Sequence, residues 1–236
     1  MERLTGKVVL VTGASRGIGF AIAQALGREG ARLVLVARDQ KALRIAEAKF
    51  DNHPLGLAAD VARPADVTRL FRTLQRHHKR LDVLINNAGV FTYKAFVRTT
   101  LQEWRSNLET NLTSLFLVTR AALPLLGLSR APQIVNILSV SSRVAFPNCS
   151  AYSAAKFGAL GLTRVLRKEL RPQGIRVTAI LPGTTDTRMA KAFDFPVDRT
   201  KLIQPQDIAD AVLAAVLQPT RTTIEEVHLM PSAGRL

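Results

Sequence analysis

The sequence predicts an α/β protein in which a parallel sheet of seven strands carries helices on both faces, the arrangement called doubly wound. Two kinds of segment alternate along all 236 residues: short runs rich in β-branched residues and leucine, and longer segments with helical spacing of apolar residues. Such alternation forms right-handed crossovers between parallel strands. Because the composition shows no linker, repeat or low-complexity tract, we predict a single domain over residues 1–236.

The strands are predicted where four to six consecutive residues are mostly apolar. In chain order they are Val8 to Val11, Arg32 to Val36, Leu55 to Ala58, Val83 to Asn86, Gln133 to Leu138, Arg176 to Leu181 and Glu226 to Leu229. The helices lie between them, near Gly17 to Glu29, Gln40 to Asp51, Pro64 to His77, Leu101 to Leu126, Ser150 to Arg171 and Pro205 to Leu217. Such sheets bind ligands at the carboxyl ends of their strands, so the residues just after each strand are candidates for function.

A glycine-rich turn follows the first strand and leads into an apolar helix. Over residues 12–19 it reads Thr-Gly-Ala-Ser-Arg-Gly-Ile-Gly. Glycine permits a tight turn and lets the backbone approach a pyrophosphate at the positive N-terminus of the helix. We therefore predict a dinucleotide site whose residues in this turn are Gly13, Ser15, Arg16, Gly17, Ile18 and Gly19.

The end of the second strand favours NADP over NAD. Ala37 stands where folds selecting NAD commonly carry an acid for the 2′-hydroxyl of the adenosine ribose. Arg16 and Arg38 supply guanidinium groups instead, and guanidinium recognises phosphate through paired hydrogen bonds. Either arginine could alternatively be a plain surface charge. We expect NADP(H) as the cofactor.

A tyrosine and a lysine, Tyr152 and Lys156, stand four residues apart, and Ser139 lies thirteen residues before the tyrosine. Positions i and i+4 share one face of a helix, so the ammonium is expected beside the phenol, where it favours the ionised form. A phenol perturbed in this way can exchange a proton near neutral pH. The alternative is an ordinary exposed pair on a helix.

Seven features of the chain occur in order and at characteristic spacings. They are the glycine turn, Asp60-Val61, Asn86-Asn87-Ala88-Gly89, Asn111, Ser139, Tyr152 with Lys156, and Pro182-Gly183 followed by Thr187. With them the chain resembles the short-chain dehydrogenase/reductase family over nearly its whole length. The resemblance implies a Rossmann fold and hydride transfer between a nicotinamide and a carbonyl or alcohol.

The resemblance also implies roles for four catalytic residues. Tyr152 would protonate the carbonyl oxygen, and Ser139 would hydrogen-bond and orient that oxygen. Lys156 would hold the nicotinamide ribose and, together with an oxidised nicotinamide, lower the pKa of the tyrosine. Asn111 would hold a water that relays protons, although it could instead be a buried amide that satisfies backbone groups.

The remaining residues implied by the resemblance bind the cofactor. Asp60 and Val61 would contact the adenine, residues 87–89 would line the adenosine side, and Thr187 would meet the nicotinamide carboxamide. Tyr152 and Lys156 belong to this set as well. The full set after the second strand is Arg38, Asp60, Val61, Asn87, Ala88, Gly89, Tyr152, Lys156, Pro182, Gly183, Thr185 and Thr187.

The substrate is less constrained. The chain most resembles 3-oxoacyl-(acyl carrier protein) reductases and related general carbonyl reductases, so we expect a small-molecule or acyl-thioester carbonyl, with acyl carrier protein as a candidate partner. Arg130 matches a basic docking position of those reductases, whereas the second such position is Gln173, with Arg171 nearby. The C-terminal tail also departs from theirs, and the segment from Thr184 to Pro205 is short, which suits an open pocket.

Aromatic residues are expected to form an apolar wall of the substrate pocket, although each could equally belong to the core. Cys149, three residues before Tyr152, is expected to line the same pocket and not to act as a nucleophile, because no histidine stands at a partner spacing. The aromatic candidates are Phe91, Phe146, Phe193 and Phe195.

Charge and composition exclude other classes. Lys and Arg exceed Asp and Glu by 33 to 18, giving a net charge of +15, but the charges are dispersed, so we expect a solvated surface and no nucleic acid. No apolar run approaches the roughly 18 residues of a membrane span, and there is no signal-peptide core; we expect a cytoplasmic protein without membrane contact. One cysteine and four unclustered histidines predict no metal site.

Two alternatives remain open from the sequence. One is an NADP-linked alcohol, sugar or steroid dehydrogenase that works oxidatively. The other is a non-catalytic nucleotide-sensing or nucleic-acid-binding protein that keeps the fold. In the family the two long helices usually pair between subunits, so we expect a homodimer or homotetramer.

Overall fold

The structure is a computed structural model that describes residues 3–193 and 198–234. Seven strands within these residues form one parallel sheet in the order β3-β2-β1-β4-β5-β6-β7, which confirms the predicted fold class. The strands are β1 (Val8–Thr12), β2 (Arg32–Ala37), β3 (Leu55–Ala58), β4 (Val83–Asn86), β5 (Gln133–Ile137), β6 (Arg176–Pro182) and β7 (Glu226–Leu229). The order reverses direction between β1 and β4, and the crevice at such a switch point is where these folds bind ligands.

Helices cover both faces of the sheet. They are α1 (Gly17–Arg28), α2 (Gln40–Glu47), α3 (Pro64–His77), α4 (Leu101–Leu108), α5 (Ser114–Leu126), α6 (Ser150–Leu170) and α7 (Pro205–Val216). Side chains of β1 alternate between the faces, as a strand requires. Val9 and Val11 pack with α1, α2 and α7, whereas Val8 and Leu10 pack with α3 and α5. The core is therefore divided into two layers by a buried sheet, which explains why the strands read as continuous apolar runs.

The predicted long helix from Leu101 to Leu126 is interrupted. A π-helical turn, Glu109–Thr113, separates α4 from α5 and holds Asn111. The amide of Asn111 donates to the carbonyl oxygens of Val90 at 2.9 Å and of Asn107 at 3.0 Å. Apolar periodicity does not reveal a single widened turn, because the helix axis continues on both sides of it.

Helix α2 ends at Glu47, four residues before the predicted Asp51. The chain turns after Ala48, and Phe50 packs edge-on against Phe20 with ring centroids 5.5 Å apart. Asn52 donates to the Ala31 carbonyl at 3.2 Å. These tertiary contacts fix the turn. The ends of the other helices lie within one residue of the prediction.

Candidate active site

Two adjoining cavities open at the carboxyl ends of the strands. The larger measures about 610 Å³ and extends from the glycine turn past the end of β2 to α6. The smaller measures about 340 Å³ and lies beyond Ser139. Five residues line both cavities, so the two meet at this point. They are Ile18, Leu138, Tyr152, Thr187 and Met189.

The glycine turn is anchored to the loop after β4 by Thr12. The buried Thr12 hydroxyl accepts hydrogen bonds from the backbone N–H groups of Asn87 at 2.9 Å and Ala88 at 3.0 Å. Gly13 has φ +66° and Gly17 has φ +59°, conformations that L side chains rarely adopt. A Cβ on Gly13 would lie 3.0 Å from the Ala88 Cα. The turn therefore leaves backbone groups at the start of α1 facing the larger cavity, which suits a pyrophosphate.

Gly19 does not line either cavity. A Cβ there would clash with the Asn87 side chain and would lie 2.5 Å from the Gly13 carbonyl oxygen. Its role is thus to let α1 pack closely against the turn, and the predicted direct contact of Gly19 with the cofactor has no support in the geometry.

We expect Gly19→Ala to lower the free energy of unfolding by about 1–3 kcal/mol, because backbone atoms must shift to admit the methyl group. Urea denaturation followed by circular dichroism measures the change. Gly161→Ala is the control, since a Cβ at this helical position meets nothing within 4 Å. We expect the control to be neutral or slightly stabilising. Equal stability of Gly19→Ala and the wild type would contradict this account of the turn.

Positive charge gathers at the far end of the larger cavity. Arg16 and Arg38 both line it and are exposed, and Ala37, the last residue of β2, is buried. Asp39 follows Arg38 and also lines this cavity, but its carboxylate accepts hydrogen bonds from the N–H groups of Lys41 and Ala42 and so caps α2. Where an adenosine ribose would bind, the cavity therefore presents the guanidinium groups of Arg16 and Arg38. The carboxylate of Asp39 is engaged in capping α2.

The other predicted cofactor residues divide between the cavities. Pro182, Gly183 and Thr185 line the smaller cavity only. The Thr185 hydroxyl donates to the Gly183 carbonyl at 3.0 Å and steadies that turn. The larger cavity is lined by the predicted residues Gly13, Ser15, Arg16, Gly17, Ile18, Arg38, Asp60, Val61, Asn87, Ala88, Gly89, Tyr152, Lys156 and Thr187.

Ser139, Tyr152 and Lys156 come together where the cavities meet. Ser139 follows β5, and its hydroxyl accepts a hydrogen bond from the Ser141 N–H at 3.1 Å and bonds to the Tyr152 phenol. Tyr152 and Lys156 are buried on α6. The Lys156 ammonium donates to the Ile137 carbonyl at 3.1 Å and lies 5.6 Å from the centroid of the Tyr152 ring. The arrangement places a phenol proton at the mouth of the smaller cavity.

The protein groups by themselves raise the pKa of Tyr152, and the lowering expected from Lys156 together with an oxidised nicotinamide stays a prediction. Burial raises the pKa of Tyr152 to about 12, and the hydrogen bond from Ser139 offsets this only in part. Burial also lowers the pKa of Lys156 to about 8. The cost of removing a phenolate from water outweighs an ammonium that lies over the ring face. The phenol is therefore protonated at neutral pH.

Asn111 lines the larger cavity, but its side chain is fully engaged in holding the fold. Besides its two donated bonds, its Oδ1 accepts from the Val90 N–H at 3.2 Å. Its Oδ1 also limits Gly89 to glycine, since a Cβ there would lie 2.8 Å away. The buried-amide alternative thus describes the side chain, and a relay water near Asn111 stays a prediction.

Several lining residues were not recognised as site residues from the sequence. Tyr93 and Met189 line the smaller cavity, and Arg188 and Arg199 line the larger one. Arg199 forms an ion pair with Asp186. Tyr93 lies in a loop and the other three lie in short 3-10 helices, where no spacing rule marks them. Of the aromatic candidates, Phe91, Phe146 and Phe193 line the smaller cavity, and Phe195 lies outside the described residues.

Cys149 also lines the smaller cavity, as expected. Burial raises the pKa of its thiol to about 11, so it is a poor nucleophile.

Across residues 3–193 and 198–234, no group of three or more His, Cys, Asp or Glu side chains is placed to hold a metal ion. In the same part of the chain no helix combines the length and apolar character needed to cross a membrane.

Comparison with known proteins extends the picture. Residues 7–195 match a family model described as short chain dehydrogenase. An uncharacterized oxidoreductase from Staphylococcus aureus is 36% identical over 232 residues, covering 98% of this chain and 100% of that protein. Another, from Staphylococcus epidermidis, is 32% identical over 231 residues with the same coverage.

Two solved structures are similar in fold. A metagenomic short-chain oxidoreductase in complex with NADP superposes with a TM-score of 0.86 and 33% identity, covering 98% of this chain and 99% of that one. A 3-ketoacyl-(acyl-carrier-protein) reductase from Brucella melitensis complexed with NADH gives a TM-score of 0.87 and 27% identity, covering 95% and 96%. The similarities therefore extend over nearly the whole chain and not only over the glycine turn.

Proposed function

The chain belongs to the short-chain dehydrogenase family and is an oxidoreductase that uses a nicotinamide cofactor, and on this premise we propose that it reduces a carbonyl to an alcohol with NADPH. The observation that carries the proposal is the position of the Tyr152 phenol, hydrogen-bonded to Ser139, between a cavity suited to a dinucleotide and a smaller apolar one. The bound cofactor supplies the hydride. The residues of this chain supply the proton and the orientation.

Tyr152 is the proposed proton donor. Its pKa of about 12 keeps the phenol protonated at neutral pH, so a proton is available when negative charge develops on the carbonyl oxygen. Ser139 offers a second hydroxyl to that oxygen. Reduction starts from a protonated donor, and the raised pKa of Tyr152 fits that step. The rate assays described below distinguish reduction from the oxidative alternative.

The residues that would hold the cofactor follow from the larger cavity. The end of the glycine turn and the first residues of α1, from Ser15 to Ile18, would hold the pyrophosphate with backbone N–H groups. Lys156 would hold the nicotinamide ribose, since its ammonium faces this cavity and bonds only one carbonyl, that of Ile137, within the described residues. Arg16 and Arg38 would hold the 2′-phosphate, and they support NADPH as the form used.

We expect Arg38→Ala to weaken NADPH binding about 10-fold to 100-fold and to change NADH binding by less than about threefold, because only NADPH carries the 2′-phosphate. Quenching of protein fluorescence on titration measures both dissociation constants. Arg98→Ala is the control, since Arg98 is exposed and lines neither cavity. Equal weakening of both cofactors by Arg38→Ala would contradict the assignment.

From the family similarity and the position of Tyr152, we propose as substrate a 3-oxoacyl thioester or a simple ketone or aldehyde. Arg130 is exposed and would be available to an acidic carrier protein, and the net charge of +15 would attract one. Arg171, however, forms an ion pair with Glu225 at 2.7 Å. The carrier-protein proposal therefore depends on one exposed arginine and on the structural similarity to a carrier-protein reductase.

The first experiment is a rate assay that follows loss of NADPH absorbance. It compares an acetoacetyl thioester with ketones, aldehydes and diketones, and it is repeated with NADH. Turnover of any carbonyl with NADPH supports the proposed reaction. Silence across the panel with NADPH bound would contradict it and favour the oxidative or non-catalytic alternatives.

We also propose that the chain forms a homodimer or homotetramer through its long helices. Phe116 on α5 and Phe157 and Val165 on α6 are 45%, 44% and 48% exposed, which is high for large apolar side chains in the described chain. Pairing with a second copy would bury them, as closed symmetric assemblies do.

A further inference from the structure

The residues that line the smaller cavity limit which substrates it would accept. At about 340 Å³ it lies at the lower end of the range of ligand pockets, which begins near 300 Å³. It begins at the Ser139 and Tyr152 hydroxyls, where the carbonyl oxygen of the proposed reaction would lie. The part of the substrate next to that carbonyl would therefore lie among groups that, beyond these hydroxyls, are mainly apolar.

An aromatic wall stands directly beside Tyr152. The Phe91 ring packs edge-on against the Tyr152 ring with centroids 4.8 Å apart. Phe193 packs edge-on against Phe91 at 5.5 Å and against Tyr93 at 5.3 Å. All four rings line the cavity. The substituent of a carbonyl bonded to Tyr152 would meet this wall, and flat π-systems gain from such edge and face contacts.

Charge is missing from the same cavity. None of the described residues that line it has an acidic or basic side chain. The polar groups are hydroxyls, such as those of Ser139, Ser141 and Thr184, together with backbone groups. A substrate carboxylate or phosphate placed inside would lose its hydration without gaining a counter-charge, which is costly.

We propose that the enzyme reduces uncharged ketones or aldehydes whose carbonyl carries an aromatic substituent, and that Phe193 determines this preference. The inference rests on the proposed function. The substrate carbonyl takes up a hydride at carbon and the Tyr152 proton at oxygen, giving the alcohol, while the reduced nicotinamide is oxidised. Phe193 contacts the aromatic substituent in this arrangement and takes no part in the proton transfer.

Two substrate comparisons test the proposal in the wild-type enzyme with NADPH. The first compares 4-acetylbenzamide with 4-acetylbenzoate, which have nearly the same shape and differ in charge. We expect kcat/KM to be at least about tenfold higher for the amide. The second compares acetophenone with an acetoacetyl thioester, and we expect acetophenone to be preferred. Equal rates for amide and carboxylate, or preference for the thioester, would overturn the inferred substrate class.

Variants of Phe193 test its role. For each enzyme we take the ratio of kcat/KM for acetophenone to kcat/KM for 2-butanone. The two ketones differ in intrinsic reactivity, but that difference is the same for every enzyme, so a change in the ratio reports a change in the protein. We expect Phe193→Ala to lower the ratio about tenfold and Phe193→Tyr to restore it. Phe96→Ala is the control, because Phe96 is 76% exposed and does not line the cavity. An unchanged ratio in Phe193→Ala would overturn the role of Phe193.

Failure of the inference is distinguishable from failure of the proposed function. Binding of NADPH is measured by fluorescence in every variant, so a folded and loaded enzyme is established before rates are compared. If NADPH binds and no carbonyl is reduced, the proposed function fails. If thioesters or anionic ketones are reduced best, the function stands and the aromatic preference is rejected.

Discussion

Tyr152→Phe should lower kcat about 10²-fold to 10⁴-fold while the dissociation constant for NADPH changes by less than about threefold. The substitution removes only the phenolic oxygen and its proton. The remaining ring keeps its edge-on contact with Phe91, and neither the glycine turn nor the Lys156 ammonium is touched. Loss of turnover with intact binding is the signature of a missing proton donor.

Stopped-flow or steady-state assays with NADPH, combined with fluorescence titration of the cofactor, give both quantities. Ser153→Ala is a matched control, since Ser153 is the next residue on α6 and its buried hydroxyl has no hydrogen-bond partner within the described residues. We expect the control to keep kcat within about threefold of the wild type. Turnover of Tyr152→Phe close to that of the wild type would contradict the role given to Tyr152.

Lys156→Met should have opposite effects on activity and on stability. We expect kcat/KM to fall at least about 100-fold, because the ammonium that would hold the nicotinamide ribose is lost. At pH 7 we expect the free energy of unfolding to rise, by on the order of 3 kcal/mol, because burial lowers the pKa of Lys156 from 10.5 to about 8. Methionine fills similar space without a charge to desolvate.

The stability difference between Lys156→Met and the wild type is expected to depend on pH. Below pH 8 the lysine is protonated in the native and unfolded states, and its burial is a constant cost. Between pH 8 and 10.5 the native state has lost the proton and the unfolded state still binds it, so wild-type stability rises relative to the variant. Urea denaturation at pH 7 and at pH 9.5 measures the free energy of unfolding of both proteins, and we expect the advantage of the variant to be smaller at pH 9.5.

Lys168→Met on the same helix serves as the control for that measurement. Lys168 is exposed near the end of α6, so its replacement should give a stability difference that does not change between the two pH values. A Lys156→Met variant that is less stable than the wild type at pH 7 would mean that the bond to the Ile137 carbonyl outweighs the desolvation of the ammonium.

Much of the fold was predictable because its signals are local. The apolar runs of the strands and the helical spacing between them follow from the period of each element, and the parallel order follows from the crossover rule. The boundaries that differed are those set by distant contacts. Phe20 fixes the end of α2, and Val90 engages the amide of Asn111 at the π-helical turn.

The sequence by itself determined the positions of the strands, the glycine turn and the three residues that meet between the cavities (Ser139, Tyr152 and Lys156), because each of these depends on short spacings within one chain segment. Only the tertiary structure decided that Tyr152 stays protonated, because its pKa is set by burial from several elements. The aromatic wall beside Tyr152 was likewise decided only by the tertiary structure. Phe91 and Phe193 lie about a hundred residues apart and meet only when the loop after β4 faces the segment after β6.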